Sequence, residues 1–170
     1  MTMNKPFVAV MMGSDSDLPI LQSTLDVLKH LNIPYEVKIT SAHRTPDATH
    51  SFVKDADQRG CAVFIAAAGL AAHLAGTVAG LTLKPVIGIP MDAGPLQGMD
   101  SLLSTVQMPG GIPVACVAVG KAGAKNAAYL AAQIMALSDP ELAICISEER
   151  QANADAVIAK DAKLQVELAK

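Results

Sequence analysis

Five short runs of apolar and β-branched residues recur along the chain, each followed by a longer segment with helical spacing. This alternation restricts the fold more than any other feature. The runs cover 7–12, 35–39, 62–65, 85–89 and 114–119, and four of the five are continuously apolar, as strands covered on both faces should be. The intervening segments are 18–31, 46–59, 71–81, 99–106 and 124–137. The first carries Leu21, Leu25, Leu28 and Leu31 on one helical face, and the second starts with Thr45 at the N-cap and Pro46 at N1. Such a repeat predicts an α/β fold, a three-layer α/β/α sandwich around a central parallel sheet, joined by right-handed crossovers. No linker, repeat or low-complexity segment divides the chain. We read one domain over 1–170, with a core at 7–137 and a C-terminal helical extension at 138–170 forming one or two helices.

Half of the residues (51%) are hydrophobic and only 17% are charged, which excludes an intrinsically disordered chain. A net charge of −3 argues against a nucleic-acid partner, because phosphate backbones call for clustered Lys and Arg. From Cys61 to Leu83 no side chain is permanently charged, a length sufficient to cross a bilayer of about 30 Å. That stretch contains His73 and three glycines and is poor in leucine, so it reads as a buried strand and helix instead of a membrane span. Cys61, Cys116 and Cys145 are odd in number and widely spaced, which predicts reduced, mostly buried thiols and no zinc or disulfide framework. The apolar run at 7–12 is too short for a signal peptide. The expectation is a soluble, cytoplasmic protein without a membrane partner.

In an open parallel sheet, ligands bind beyond the carboxyl ends of the strands. Polar residues concentrate in those loops. Gly13-Ser14-Asp15-Ser16-Asp17 follows the first run; its hydroxyls and helix-start N–H groups suit an oxyanion, and Asp17 suits a sugar hydroxyl. The same residues would serve as an ordinary N-cap. Ser41-Ala42-His43-Arg44-Thr45-Pro46 follows the second run. Arg44 is a planar fork for phosphate or carboxylate, and His43 is the side chain able to give and take a proton near neutrality. After the third run, Ala68 and Gly69 allow close backbone approach, with His73 and Leu74 just beyond; a lone His among alanines is equally at home as a core residue. The segments 92–98 and 107–113 add close-approach backbone, for which ordinary turn chemistry is also sufficient.

The chain has no nucleoside-triphosphate loop, no dinucleotide fingerprint and no metal-ligand spacing. A hydrolase triad of Ser14, His43 and Asp17 lacks a nucleophile-elbow context. Residue chemistry alone therefore points to a cofactor-free enzyme acting on a small phosphorylated compound, with His43 moving a proton.

The motifs at 13–17 and 41–46, together with 98–114 and 123–134, resemble those of the N5-carboxyaminoimidazole ribonucleotide mutases of purine biosynthesis, the bacterial class of aminoimidazole ribonucleotide carboxylase. The resemblance spans roughly residues 8–137 and rests on four ordered motifs. It implies a flavodoxin-like fold assembled as a homo-octamer. It also implies transfer of a carboxylate from the exocyclic nitrogen to C4 of the imidazole ring, without metal, ATP or biotin. His43 is then the general acid/base. Ser14, Asp17 and Arg44, with Ser16 and Ser41 nearby, are the phosphate and ribose contacts; Ala68 and Gly69, with His73 and Leu74 close by, form the carboxylate or CO2 pocket.

The chain departs from the family pattern at the third loop, where Leu70 replaces a glycine and Ala75 a proline, and in the loop before Gly98. If position 70 requires positive φ, Leu70 is strained. Two other readings stand beside the mutase. One is the animal-type carboxylase that takes CO2 directly, which has Lys where Arg44 stands and lacks the Ala-Ala-His segment. The other is a non-enzymatic flavodoxin-like binding module.

Overall fold

The computed structural model describes residues 5–169; residues 1–4 and 170, included in the domain and tail above, lie outside them. Five parallel strands form one sheet in the order β2-β1-β3-β4-β5: β1 Phe7–Met12, β2 Tyr35–Ile39, β3 Cys61–Ala68, β4 Val86–Pro90 and β5 Ala115–Cys116. Among the described residues the six α-helices are α1 Leu18–His30, α2 Pro46–Gln58, α3 Leu74–Ala79, α4 Met99–Val106, α5 Gly120–Ala136 and α6 Pro140–Leu168. β1 and β4 are buried along their whole length and β3 along most of it. That is why their sequences run apolar without alternation.

Each sheet face carries its own core. Val8, Val10, Ile65 and Ile87 meet Leu21, Leu25 and Leu28 of α1 and the alanines of α5 on one side. Ala9, Met11 and Phe64 meet Val53 and Ala56 of α2 and Val78 of α3 on the other. The result is the expected α/β/α sandwich. Ala124, Ala127, Ala128, Ala131 and Ala132 are wholly buried, and they let α1 approach so closely that the Thr24 hydroxyl donates to the Ala124 carbonyl at 2.7 Å. The uncharged stretch at 61–83 divides into β3 and α3, and no helix among the described residues is long and apolar enough to cross a membrane.

Several expectations need correction. The last run, 114–119, yields only a two-residue strand at the sheet edge, with Ala115 exposed, so its apolar residues are not covered on both faces. α3 begins at Leu74, three residues later than its pattern suggests, because positions 69–73 form an irregular loop. α5 begins four residues earlier than expected, at Gly120, whose φ of 70° turns the chain into the helix. Of the three cysteines only Cys61 is buried; Cys116 is partly covered and Cys145 exposed. The tail is a single 29-residue helix. Asp139 caps it by accepting from the Leu142 N–H, and Leu142 and Ile146 dock it on α5, while Val157, Ile158, Leu164 and Leu168 stay exposed.

Candidate active site

The strand order reverses between β1 and β3, so the loops leaving their carboxyl ends part toward opposite faces and open a crevice there. The crevice is a cleft of about 500 Å³ lined by Gly13, Ser14, Ser16, Asp17, Ser41–Arg44, Ala68–Ala71, His73, Leu74 and Ala93. All ten residues singled out from the sequence, His43, Ser14, Asp17, Arg44, Ser16, Ser41, Ala68, Gly69, His73 and Leu74, border this one space. A groove of similar size between α5 and α6 lies away from the strand ends and contains no histidine.

Contacts between loops set the arrangement. The Arg44 guanidinium donates to the Gly13 carbonyl at 3.3 Å, tying the second loop to the first. Arg44 forms no ion pair among the described residues, which leaves its charge available to an anion. His43 Nε2 stands 2.7 Å from His73 Nδ1, with the rings edge to face at 83°, and this links the second loop to the third. One of these two nitrogens must donate and the other accept, so the tautomers of the two rings are coupled. The third loop interlocks with the residues after β4: a Cβ on Gly69 would stand 3.0 Å from Ala93 Cβ, and one on Gly94 would stand 2.5 Å from Leu70 Cδ2. Along the cleft wall, hydroxyl, carboxylate and guanidinium groups thus come from the first two loops, small and apolar groups from the last two. His43 and His73 stand between them.

The first loop is arranged differently from expectation. The Ser16 N–H is taken by Ser14 Oγ at 3.3 Å and the Asp17 N–H by the Ser14 carbonyl at 3.2 Å. The N-cap role of Ser14 is therefore realised here, and these two N–H groups are not free for an anion, which shifts that task toward Arg44 and the hydroxyls. Asp17 is half-buried and stands at the N-cap of α1, where its side chain makes no cap bond to that helix. Burial raises its pKa above the ordinary carboxylate value, reinforced by the neighbouring Asp15 charge and opposed by a hydrogen bond at Ser14.

Thr45 occupies the N-cap position of α2, but its hydroxyl makes no cap bond. It accepts instead from the Ser41 N–H at 2.9 Å, closing the turn that presents His43 and Arg44. Behind it, Thr40 and Thr49 are buried and share a hydrogen bond of 2.7 Å. Ser41 Oγ accepts from both the His43 and Arg44 N–H groups. Sequence reasoning missed this hydroxyl network; its only trace is three threonines at 40, 45 and 49, at the end of β2 and the start of α2. Of the segment 92–98, expected to add close-approach backbone, Ala93 lines the cleft. The segment 107–113 leads into the amino end of β5, opposite the cleft's edge of the sheet, and does not line the cleft; it packs Met108 against Gly76 and places 111–113 beside 82–86.

Leu70 has φ 55°, so the glycine-like conformation anticipated there is real. A side chain in this region costs about 1–2 kcal/mol.

A family model described as AIR carboxylase matches residues 7–156. The chain belongs to the AIR carboxylase family. Among relatives of this family, the N5-carboxyaminoimidazole ribonucleotide mutase of Bacillus subtilis is 52% identical over 147 residues, covering 86% of this chain and 91% of the relative. The enzyme of the same name from Escherichia coli strain K12 is 50% identical over 155 residues, covering 91% and 92%. The crystal structure of Treponema denticola PurE superposes with a TM-score of 0.85 at 34% identity over 94% of this chain and 99% of that one. The flavodoxin-like AIR carboxylase fold therefore extends from β1 through most of α6.

Proposed function

We propose that this AIR carboxylase family member is an isomerase of purine biosynthesis, moving the carboxylate of N5-carboxyaminoimidazole ribonucleotide from the exocyclic nitrogen to C4 of the imidazole ring. Identity of about one half to two mutases, over most of each chain, supports the reaction. The observation that carries the site is the position of His43, between a loop pair bearing Arg44, Ser14 and Asp17 and a loop pair that is small and apolar.

Arg44, with the hydroxyls of Ser14, Ser16 and Ser41, holds the phosphate, and Asp17 accepts from a ribose hydroxyl. In a chain of net charge −3 this is local, preorganised recognition, because the overall field does not attract an anion. The carbamate N–C bond breaks, CO2 leaves, and the electron pair stays on nitrogen, which takes up a proton. C4 of the electron-rich ring then attacks CO2 and loses its own proton. One proton is supplied and one removed, so the step is balanced without ATP, metal or redox cofactor. His43 handles the C4 proton, and its bond to His73 keeps the ring presented to the cleft. Ala68, Gly69 and Leu74 offer CO2 a wall of small and nonpolar groups.

The carboxylase that takes CO2 directly is less well supported, because Arg44 and the Ala71-Ala72-His73 segment depart from its pattern. Assembly into a homo-octamer in the cytoplasm completes the reading. An apolar stripe of Met99, Leu103 and Val106 on α4, and the uncovered apolar residues of α6, suit contacts between copies. His43→Asn tests the chemistry: kcat should fall by about 10²–10⁴-fold with circular dichroism unchanged. Full activity in this variant would remove His43 from the mechanism.

A further inference from the structure

The core does not hold His43 or Arg44. Both are exposed, and among the described residues the His43 ring bonds only to His73 and the Arg44 guanidinium only to the Gly13 carbonyl. What fixes them is the turn that carries them, and its two ends, Ser41 and Thr45, are bound to each other more than once. The Thr45 N–H donates to the Ser41 carbonyl at 2.9 Å, and the Ser41 N–H donates to Thr45 Oγ1 at 2.9 Å. The single proton of the Thr45 hydroxyl has two acceptors within reach, the Ser41 carbonyl at 3.3 Å and Thr40 Oγ1 at 3.2 Å. Thr40 shares its 2.7 Å bond with Thr49, whose hydroxyl also reaches the Thr45 carbonyl at 3.1 Å. Thr40 and Thr49 are buried, where a hydroxyl is costly without a partner, so this pair is held against the turn. A threonine at an N-cap ordinarily points its hydroxyl into the first turn of its own helix. Thr45 points it backward, across the turn, and makes no cap bond to α2.

We propose that Thr45 is a positioning residue: its hydroxyl clasps the 41–45 turn so that His43 stands where it can exchange the C4 proton. The inference rests on the mutase reading above. Proton transfer needs the histidine within hydrogen-bond reach of the reacting atom, and a displacement of about 1 Å can lower the rate by about 10²-fold. Recognition of the phosphate tolerates more movement, because charge attraction falls gradually with distance and the Ser14 and Ser16 hydroxyls lie on another loop. Loss of the Thr45 hydroxyl therefore acts mainly on kcat. Helix α2 keeps its stability, since no cap bond is lost.

The test compares Thr45→Val, which keeps the branched shape without the hydroxyl, Thr45→Ser, which keeps the hydroxyl, and Thr45→Ala. With the N-carboxylated ribonucleotide as substrate, T45V and T45A should each lose about tenfold or more in kcat, with KM raised by about threefold at most and circular dichroism unchanged. T45S should stay within about threefold of the unmodified protein. A crystal structure of T45V should show the turn opened and the 2.7 Å contact between His43 and His73 lost. Unchanged kcat in T45V overturns the proposal, and so does an equal loss in T45S, which would make the methyl group the working part. Unfolding of both T45V and T45A also overturns it, by assigning Thr45 to folding alone. Failure of the unmodified protein to convert the N-carboxylated compound is a different result. It refutes the mutase reading, while the T45V crystal structure still decides whether the hydroxyl sets the position of His43.

Discussion

Asp17, proposed above to accept from a ribose hydroxyl, carries a burial cost in this cleft. Burial raises its folded-state pKa above the unfolded value of about 3.9. Its contribution to stability is therefore fully present below that unfolded value and is lost as pH rises through the folded one. At neutral pH the ionised carboxylate is a cost the fold carries. Asp17→Asn should be more stable than the unmodified chain near pH 7, with the gap closing toward pH 4, while substrate affinity falls. Denaturant titrations across that range provide the check, and a stability difference independent of pH would contradict the assignment. Legibility was uneven at this scale. Residues whose chemistry is intrinsic, such as His43 and Arg44, could be picked out by type and by position after a strand. The Thr40–Thr49 pair could not, because a threonine's role depends on what its hydroxyl meets across a turn. Leu70 was visible only as a departure from a pattern.

Among the secondary-structure elements, α5 fits its place through what its residues lack. Gly123 lies where a Cβ would come within 1.6 Å of the Ala118 carbonyl oxygen, a backbone atom with little freedom to move aside. Gly123→Ala should consequently destabilise the chain by about 2–4 kcal/mol, the range of severe core overpacking and backbone strain. Chemical denaturation measures this, and a loss below about 0.5 kcal/mol would show that the α5 start is not tightly fixed. Strands β1, β3 and β4 were legible because burial on both faces leaves continuous apolar sequence. β5 was overread for the same reason: apolar residues at 114–119 accompany an edge position that pairs for only two residues. The start of α3 was misplaced because alanines at 71 and 72 favour a helix that the loop around Leu70 overrides. An edge contact of another kind lies at β2, where Arg59 donates to both oxygens of Glu36, at 2.5 and 2.8 Å, and lowers the pKa of that carboxyl. The pair is partly exposed, so it contributes only modestly to holding α2 beside the sheet edge.

The whole molecule is a sandwich whose crevice is set by topology, with a long helix that leaves much of its apolar surface uncovered. The octameric assembly proposed above makes a prediction at this scale. Leu103→Glu, in the middle of the exposed α4 stripe, should reduce the oligomer to smaller species by light scattering while circular dichroism stays unchanged. An unaltered mass would remove α4 from the interface. Fold class and the location of the cleft were legible from the alternation of elements, whereas assembly is not written in any single element's pattern. The central claim, internal carboxylate transfer, is tested most directly by ¹³C NMR of the N-carboxylated ribonucleotide incubated with the protein, with neither ATP nor added bicarbonate. The account predicts that the carbamate signal declines as the C4-carboxylate signal grows, and that the same final ratio is reached starting from the C4 compound. Formation of the C4-carboxylate only when bicarbonate is supplied would contradict it and assign the chain to direct carboxylation.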